Sequence, residues 1–544
     1  MASLYTKATD ISAFANTFKI ETAESTVIRL SNYVLGEWRE GNAPFRNLEN
    51  PSTGEVVAET SSKGLDFKAI HSFAREVGGP NLRSMTFAER GALLKAMSRA
   101  VYAQRERLID VATTNGGNTR KDAKFDLDGA TATLSYYANL GKGLGDKKTL
   151  TDGESVQLAM SARFHGSHVS SPILGAAIHI NAFNFPAWGT FEKAACAILA
   201  GVPVISKPAT STAWLAWEIV KILVDEDILP AGVFQLICGG AGDLLDHTDG
   251  QDAIAFTGSA DTGAIIRGCA GHIKNSARIN IEADSLNAAI IGPDVEVGSD
   301  VWFAAIRNIT TEMTQKAGQK CTAIRRVMVP ESLIDQLQET VIAELEGVVV
   351  GDPTDPDVRM GPLSSASQLK DYREGVALLE SEAKIVFGSA TEIANNKGIN
   401  DNGYYGGPVL LRCDSPETAR HIHSREVFGP VCTIMPYDNC AKSCANLIRM
   451  GGGSLATSVY SSEKRFLKKI IPQIVTSNGR VLVVDKKVAD TATGHGMVMP
   501  QMIHGGPGRA GGGEELGGLR GLGFYMQRTA IQGNKALMER IFGD

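Results

Sequence analysis

The sequence predicts an α/β protein built around a mostly parallel sheet, and three observations carry that prediction. Short apolar runs at residues 175–180, 202–206, 233–238, 253–256 and 278–281 are separated by helical stretches such as 211–224 and 261–269. Parallel strands need such crossovers, so the alternation is the mark of a dinucleotide-type sheet. A second α/β run follows Cys321, with a strand at 327–329, an amphipathic helix at 332–346, and strands near Ile385, Val409 and Val431. The length of 544 residues is enough for two or three lobes with full cores.

Each element has a local reason. Residues 1–26 are rich in Ser, Thr and Ala, lack arginine, and read as a flexible N-terminal arm rather than an organelle presequence. A β-rich entry follows at 33–38 and 50–59, where turn residues separate short alternating runs. Thr86-Phe87-Ala88-Glu89 is a capping-box pattern opening a helix whose Leu93, Leu94, Met97, Ala100 and Val101 share a face. A second helix ends near Tyr136-Tyr137-Ala138, and the glycine-punctuated, charged residues 141–161 are expected to form an exposed hairpin. Farther along, Trp302, Ala305, Ile306, Ile309 and Met313 recur at helical spacing. Ser299 or Asp300 can cap that helix, and Gly318 can end it in a left-handed turn that delivers Cys321 onto a loop. From Thr493 the chain is rich in glycine before a helix-like end at 530–542.

Composition excludes several classes. A formal charge of -6 with no basic cluster offers no electrostatic case for nucleic acid. No apolar run approaches the roughly 18 residues that span a bilayer, and the N-terminus lacks a secretory pattern. The eight cysteines show no CxxC pair, so they read as free thiols of a reducing, cytoplasmic protein. The ten histidines show no metal-binding spacing, and no metal is expected.

The chemistry-bearing stretches lie at strand and helix ends. Cys321, beside Lys320 and among backbone amides, is expected to be more acidic than a free cysteine and hence nucleophilic. In Phe256-Thr257-Gly258-Ser259-Ala260-Asp261 a strand ends in a Gly-Ser turn opening a helix, whose free amides suit a pyrophosphate. A GxGxxG at 506–511 is rejected as a phosphate loop, because no strand precedes it and no capped helix follows directly. Asn184 in Asn181-Ala182-Phe183-Asn184-Phe185-Pro186 can donate to an oxyanion. Lys207 and Thr210 close the next strand, where a cofactor's ribose or phosphate could lie. Glu282 follows an apolar strand, and burial there would raise its pKa and suit it to act as a base.

Taken together and in order, the NFP, KPA, FTGS, IEA, GQKC and EVFGP stretches and the Gly-Glu-Glu-Leu-Gly tail resemble the aldehyde dehydrogenase superfamily, from about Ser31 onward. Within it, residues 179–186, 282–287 and 504–518 resemble the branch that acts on CoA-linked semialdehydes of benzoate and phenylacetate degradation. The resemblance implies an aldehyde dehydrogenase-like fold, with a Rossmann-type cofactor lobe (27–141 and 171–298) and an α/β catalytic lobe (299–495). It also implies a small oligomerisation element with the C-terminal tail (142–170 and 496–544).

By matching position, Cys321 attacks the aldehyde, the Asn184 amide and the Cys321 backbone N–H hold the oxyanion, and hydride transfer to nicotinamide leaves a thioester. Glu282 then activates the hydrolytic water, Glu515 relays protons, Glu426 holds the nicotinamide ribose and Phe428 packs beside it. Thr257, Gly258 and Ser259 meet the pyrophosphate. Thr210 stands where NAD-preferring relatives often carry a glutamate, so Lys207 can pair with a 2'-phosphate and NADP is preferred over NAD. The expected product is the free acid, and the expected assembly is a homodimer. Because the chain stops at Asp544, the hydratase activity joined to some members of the branch is not expected. A CoA-acylating dehydrogenase, a thioesterase using the same Cys321 and a non-catalytic structural relative are the competing readings.

Overall fold

The computed structural model describes residues 27–542; the expected N-terminal arm at 1–26 lies outside the described residues. Two seven-stranded sheets dominate the architecture. The first runs in the order Arg278–Glu282, Ala253–Thr257, Ala177–Ile180, Val204–Lys207, Phe234–Leu236, Asn32–Val34 and Glu37–Arg39. Its first five strands are parallel, and the last two join antiparallel as a hairpin over Leu35 and Gly36, both at positive φ. All five parallel strands are those the apolar runs predict, displaced by one or two residues at their ends. Their core-facing residues are fully buried because helices cover both faces, which is why they read as continuous apolar runs.

The helices over this sheet follow from local signals. Thr86 Oγ1 accepts from the Glu89 amide at 3.2 Å, and the Glu89 carboxylate accepts from the Thr86 amide at 2.7 Å, completing the capping box of the Phe87–Ala103 helix. The helix Arg120–Leu144 continues beyond Tyr137, because Gly141 lets it press against Gly91 of its neighbour. A crossover helix, Trp188–Ala200, is almost entirely buried, so its pattern lacks the polar face that marks a surface helix.

The second sheet has the order Lys384–Phe387, Val409–Arg412, Val431–Tyr437, Arg326–Pro330, Ala288–Ile291, Ser454–Tyr460 and Asn478–Val484. Only the first of these pairs antiparallel. Ala288–Ile291 thus pairs inside the second sheet, although the sequence reading draws the lobe boundary at residue 298. The chain crosses between sheets over residues 283–287, a link too short to break the apolar pattern.

A three-stranded antiparallel sheet is formed by Leu150–Gln157, Phe164–Pro172 and Met526–Asn534. Its third strand corrects the helix-like end expected at 530–542: the helix spans only Lys535–Phe542. Pairing with a strand more than 350 residues earlier, as at Ile531 and Ser167, decides that conformation, and no local pattern records it.

Candidate active site

Four neighbouring parallel strands end at the same edge of the first sheet and hand over Asn181, Lys207, Thr257 and Glu282. Ligands of parallel sheets sit outside such carboxyl ends. A groove of about 520 Å³ opens there, lined by Lys207, Thr257, Gly258, Ser259, Glu282, Cys321, Glu426 and Phe428 among others. Ser259 caps the Ala260–Arg267 helix by accepting from the Thr262 amide, leaving the helix's first turn facing the groove. A Cβ on Gly258 would stand 2.5 Å from the tip of the Phe256 ring, which would have to shift to admit a side chain there. Thr210 does not line the groove; its hydroxyl donates to the Gly239 carbonyl at 3.3 Å.

Cys321 reaches the inner end of the groove by an unusual route. Its helix, Asp300–Thr314, is capped by Ser299 and followed by Lys316, Ala317 and Gly318 at φ of 54°, 52° and 66°. Three left-handed residues in a row reverse the chain, and the loop is tied down by side chains that enter from elsewhere. Asn287 donates to the Cys321 and Ala323 carbonyls at 2.7 and 3.0 Å, while Arg325 donates to the Gly318 and Gly429 carbonyls. Asn184 donates to the Gln319 carbonyl at 3.1 Å, which brings its amide beside the cysteine loop.

Two electrostatic expectations are overturned. Lys320 does not acidify the thiol: it turns away and is buried against Glu312 at 2.7 Å and Gln315 at 2.9 Å. Burial, followed by the negative charges of Glu282 and Glu192, instead pushes the Cys321 thiol well above the usual range. Nor is the Glu282 carboxyl raised. Burial acts upward, but the charge and hydrogen bond of His504, with Lys193, outweigh it and bring Glu282 down to about 2. His504 Nε2 lies 3.2 Å from Glu282 and 3.8 Å from Cys321 Sγ.

His504 escapes a reading by sequence, because a histidine before a glycine-rich run looks like any turn residue. The strand that precedes Gly506 also corrects the sequence reading. Ile503–Gly505 pairs antiparallel with Glu514–Leu516, placing His504 opposite Glu515, so the glycines form a hairpin and not a phosphate loop. The hairpin abuts the Glu282 strand, where the Ala283 amide donates to the Ala510 carbonyl at 3.1 Å.

Behind Cys321 and His504 a second, narrow cavity is walled by Phe125, Phe185 and Trp188, whose rings pack edge to face. Glu192 and Lys193 enter it from the buried Trp188–Ala200 helix. Lys193 Nζ lies 3.0 Å from both Glu192 and Glu515, and burial pushes the Glu515 carboxyl up to about 7. Carboxylate oxygens of Glu192, Glu282 and Glu515 all lie within 4.8 Å of one another. On the groove side, burial raises Glu426 to about 7, and the Ser285 amide donates to it at 3.2 Å. Phe428 stacks edge-on against Phe183, with ring centres 5.8 Å apart.

A thiol, a carboxylate and an amide donor thus meet at the inner end of a strand-end groove. The chain belongs to the aldehyde dehydrogenase family, whose model matches residues 38–531. It is accordingly an oxidoreductase of the aldehyde dehydrogenase class. It is 46% identical to the 3,4-dehydroadipyl-CoA semialdehyde dehydrogenase of Aromatoleum evansii, over 88% of this chain and 93% of that protein. The alpha-ketoglutaric semialdehyde dehydrogenase of Bacillus subtilis (strain 168) is 28% identical over 81% of this chain and 87% of that one. Among solved structures, betaine aldehyde dehydrogenase from Staphylococcus aureus in complex with NAD+ superposes with a TM-score of 0.80 at 23% identity. That match covers 93% of this chain and 94% of the other, and shows the shared fold.

Proposed function

We propose that this protein oxidises a CoA-linked aliphatic semialdehyde from aromatic-compound degradation to the free carboxylic acid, with NADP preferred over NAD. The observation that carries the reading is the meeting of Cys321, Glu282 and Asn184 where the strand-end groove joins the aromatic-walled cavity. The 46% identical relative, a dehydrogenase of a CoA semialdehyde by its name, supports the substrate class.

The groove suits a nicotinamide dinucleotide, because it holds polar atoms left without a hydrogen-bond partner among the described residues. Thr257 Oγ1, Asn181 Oδ1 and Glu426 Oε1 are buried without a hydrogen-bond partner, although such atoms normally find one. Thr257, Gly258 and Ser259 would hold the pyrophosphate, Lys207 a 2'-phosphate, and Glu426 with Phe428 the nicotinamide end; bound there, the cofactor supplies the hydride acceptor. Lys207 Nζ donates only to its neighbouring Pro208 carbonyl at 3.2 Å, so little has to be broken to free it.

Cys321 attacks the aldehyde carbon, and the Asn184 amide, released from the Gln319 carbonyl, donates to the developing oxyanion. Phe125, Phe185 and Trp188 exclude water from the chain end of the substrate. Once the acyl group stands on sulfur as a thioester, Glu282 takes a proton from the attacking water. Glu515, whose carboxyl titrates near neutrality, receives that proton through the carboxylate cluster with Lys193 and Glu192.

Nicotinamide reduction with a medium-chain aldehyde and no CoA tests this, with each cofactor, on the wild type and Cys321→Ala. Turnover should favour NADP and vanish in the variant. A wild type silent until CoA is added would move the reading to an acylating dehydrogenase. In Glu282→Gln, turnover should drop about 10²–10⁴-fold while a thioester accumulates on Cys321, visible by mass. The same drop without a trapped acyl group would remove Glu282 from the hydrolytic step.

A further inference from the structure

The hairpin histidine has no role in the reaction as derived so far, yet its Nε2 stands 3.8 Å from the sulfur. His504 is 4% exposed and reaches in from the Ile503–Gly505 strand to stand between the nucleophile and the base, 3.8 Å from Sγ and 3.2 Å from Glu282. We propose that His504 is a catalytic residue, the imidazolium counter-ion of the Cys321 thiolate, which Glu282 holds in reserve while its carboxylate is ionised.

The proton balance closes if the proton that activation leaves on Glu282 passes to Glu515 through the carboxylate cluster before Glu282 serves the hydrolytic water. In the resting arrangement Glu282 is a carboxylate, His504 an imidazolium and Cys321 a thiol. Activation breaks the S–H bond and forms an O–H bond on Glu282, while His504 keeps its proton and turns its N–H from the carboxylate oxygen to the sulfur. The net charge of the three groups does not change, so no ion has to be brought into the buried site. A neighbouring imidazolium is a recognised means of lowering a cysteine's pKa.

The groups facing His504 are consistent with this sharing. Glu282 and Glu192 favour its protonated form, Arg480 opposes it, and the net direction is upward despite burial. Cys321 itself is raised by Glu282, so the carboxylate that stabilises the imidazolium also suppresses the thiolate. His504 Nε2 lies 3.2 Å from Glu282 Oε2 and 3.8 Å from Cys321 Sγ, so one N–H is within reach of both and can turn from the carboxylate to the sulfur.

The proposal rests on Cys321 being the nucleophile, and its test separates the two claims. Turnover by Cys321→Ala would sink the nucleophile; the experiment here reads the alkylation rate of the Cys321 peptide by iodoacetamide against pH, without cofactor. In Glu282→Gln the thiol proton leaves to solvent and no carboxylate raises the thiol or competes for the imidazolium, so alkylation near neutral pH should run at least about tenfold faster than in wild type, the equivalent of one pKa unit. Adding His504→Asn, or His504→Gln as a second variant, should cancel that gain while leaving the high-pH rate unchanged. A gain that persists without His504 overturns the proposal, as does a loss equal at every pH, which would reflect access alone. Should neither histidine variant fold, the ultraviolet thiolate band of Glu282→Gln, referenced to its Cys321→Ala double variant, decides. An inflection below the free-thiol value of about 8.5 supports the pair, and one at or above it overturns the pair.

Discussion

Glu426 shows how a single buried carboxyl couples chemistry to stability. Burial holds it at about 7 against the ordinary 4.5, so the native state keeps a proton that the unfolded chain gives up. Below pH 4.5 both states are protonated and nothing is lost. Between pH 4.5 and 7 stability falls, and the loss levels off above 7 at no more than about 3–4 kcal/mol, taking about 1.4 kcal/mol per unit. Glu426→Gln keeps an acceptor for the Ser285 amide and should abolish that slope. Denaturation of both proteins from acid to mildly alkaline pH checks it, and parallel curves would contradict it. Asn184→Ala should cost turnover about 10²–10³-fold, with little change in cofactor affinity measured by titration. At this scale the grouping of Cys321, Glu282 and Asn184 is an expectation of the family resemblance, since in isolation a strand-end Asn or Glu reads as an ordinary polar turn. His504, Glu192 and Lys193 were not legible, since their significance lies in which distant groups they meet.

The turn after the Asp300–Thr314 helix carries Cys321, the proposed nucleophile, and three of its residues stand at positive φ. Lys316 and Ala317 adopt left-handed angles without being glycine, which costs of order 1–3 kcal/mol each and persists only where surroundings insist. Those surroundings are Asp122, which accepts from the Lys316 amide at 3.1 Å, and the Asn287 and Arg325 hydrogen bonds. Gly318 takes the third left-handed position, and a Cβ there would lie 2.3 Å from the Gly429 carbonyl oxygen. Gly318→Ala should therefore destabilise the protein by about 1–3 kcal/mol and slow Cys321 alkylation. Unchanged unfolding and reactivity would show that the turn is not strained. The sequence announced a helix stop at Gly318, but not that the reversal begins two residues earlier, because tertiary partners, not propensity, hold Lys316 and Ala317.

Across the whole molecule, two seven-stranded sheets meet at the site, and the three-stranded antiparallel sheet leaves its two outer strands largely exposed. That small sheet is the proposed oligomerisation element. Arg278 ties it to the glutamate strand, donating to the Phe524 and Met526 carbonyls at 3.0 and 2.7 Å. Sedimentation should report twice the 57.9 kDa chain mass. Ser170→Pro, in the central strand between Leu150 and Arg528, should break the ladder and halve that mass; a dimer that survives would place the interface elsewhere. The sequence by itself determined the α/β class, the five parallel strands and the residues at their ends, because helix caps, apolar runs and strand-end turns are written in neighbouring residues. Only the tertiary structure decided that Ala288–Ile291 joins the second sheet, that Met526–Asn534 is a strand, and that Lys320 turns away while His504 turns in. Each of those depends on partners tens to hundreds of residues away, and charge and burial act through space, not along the chain.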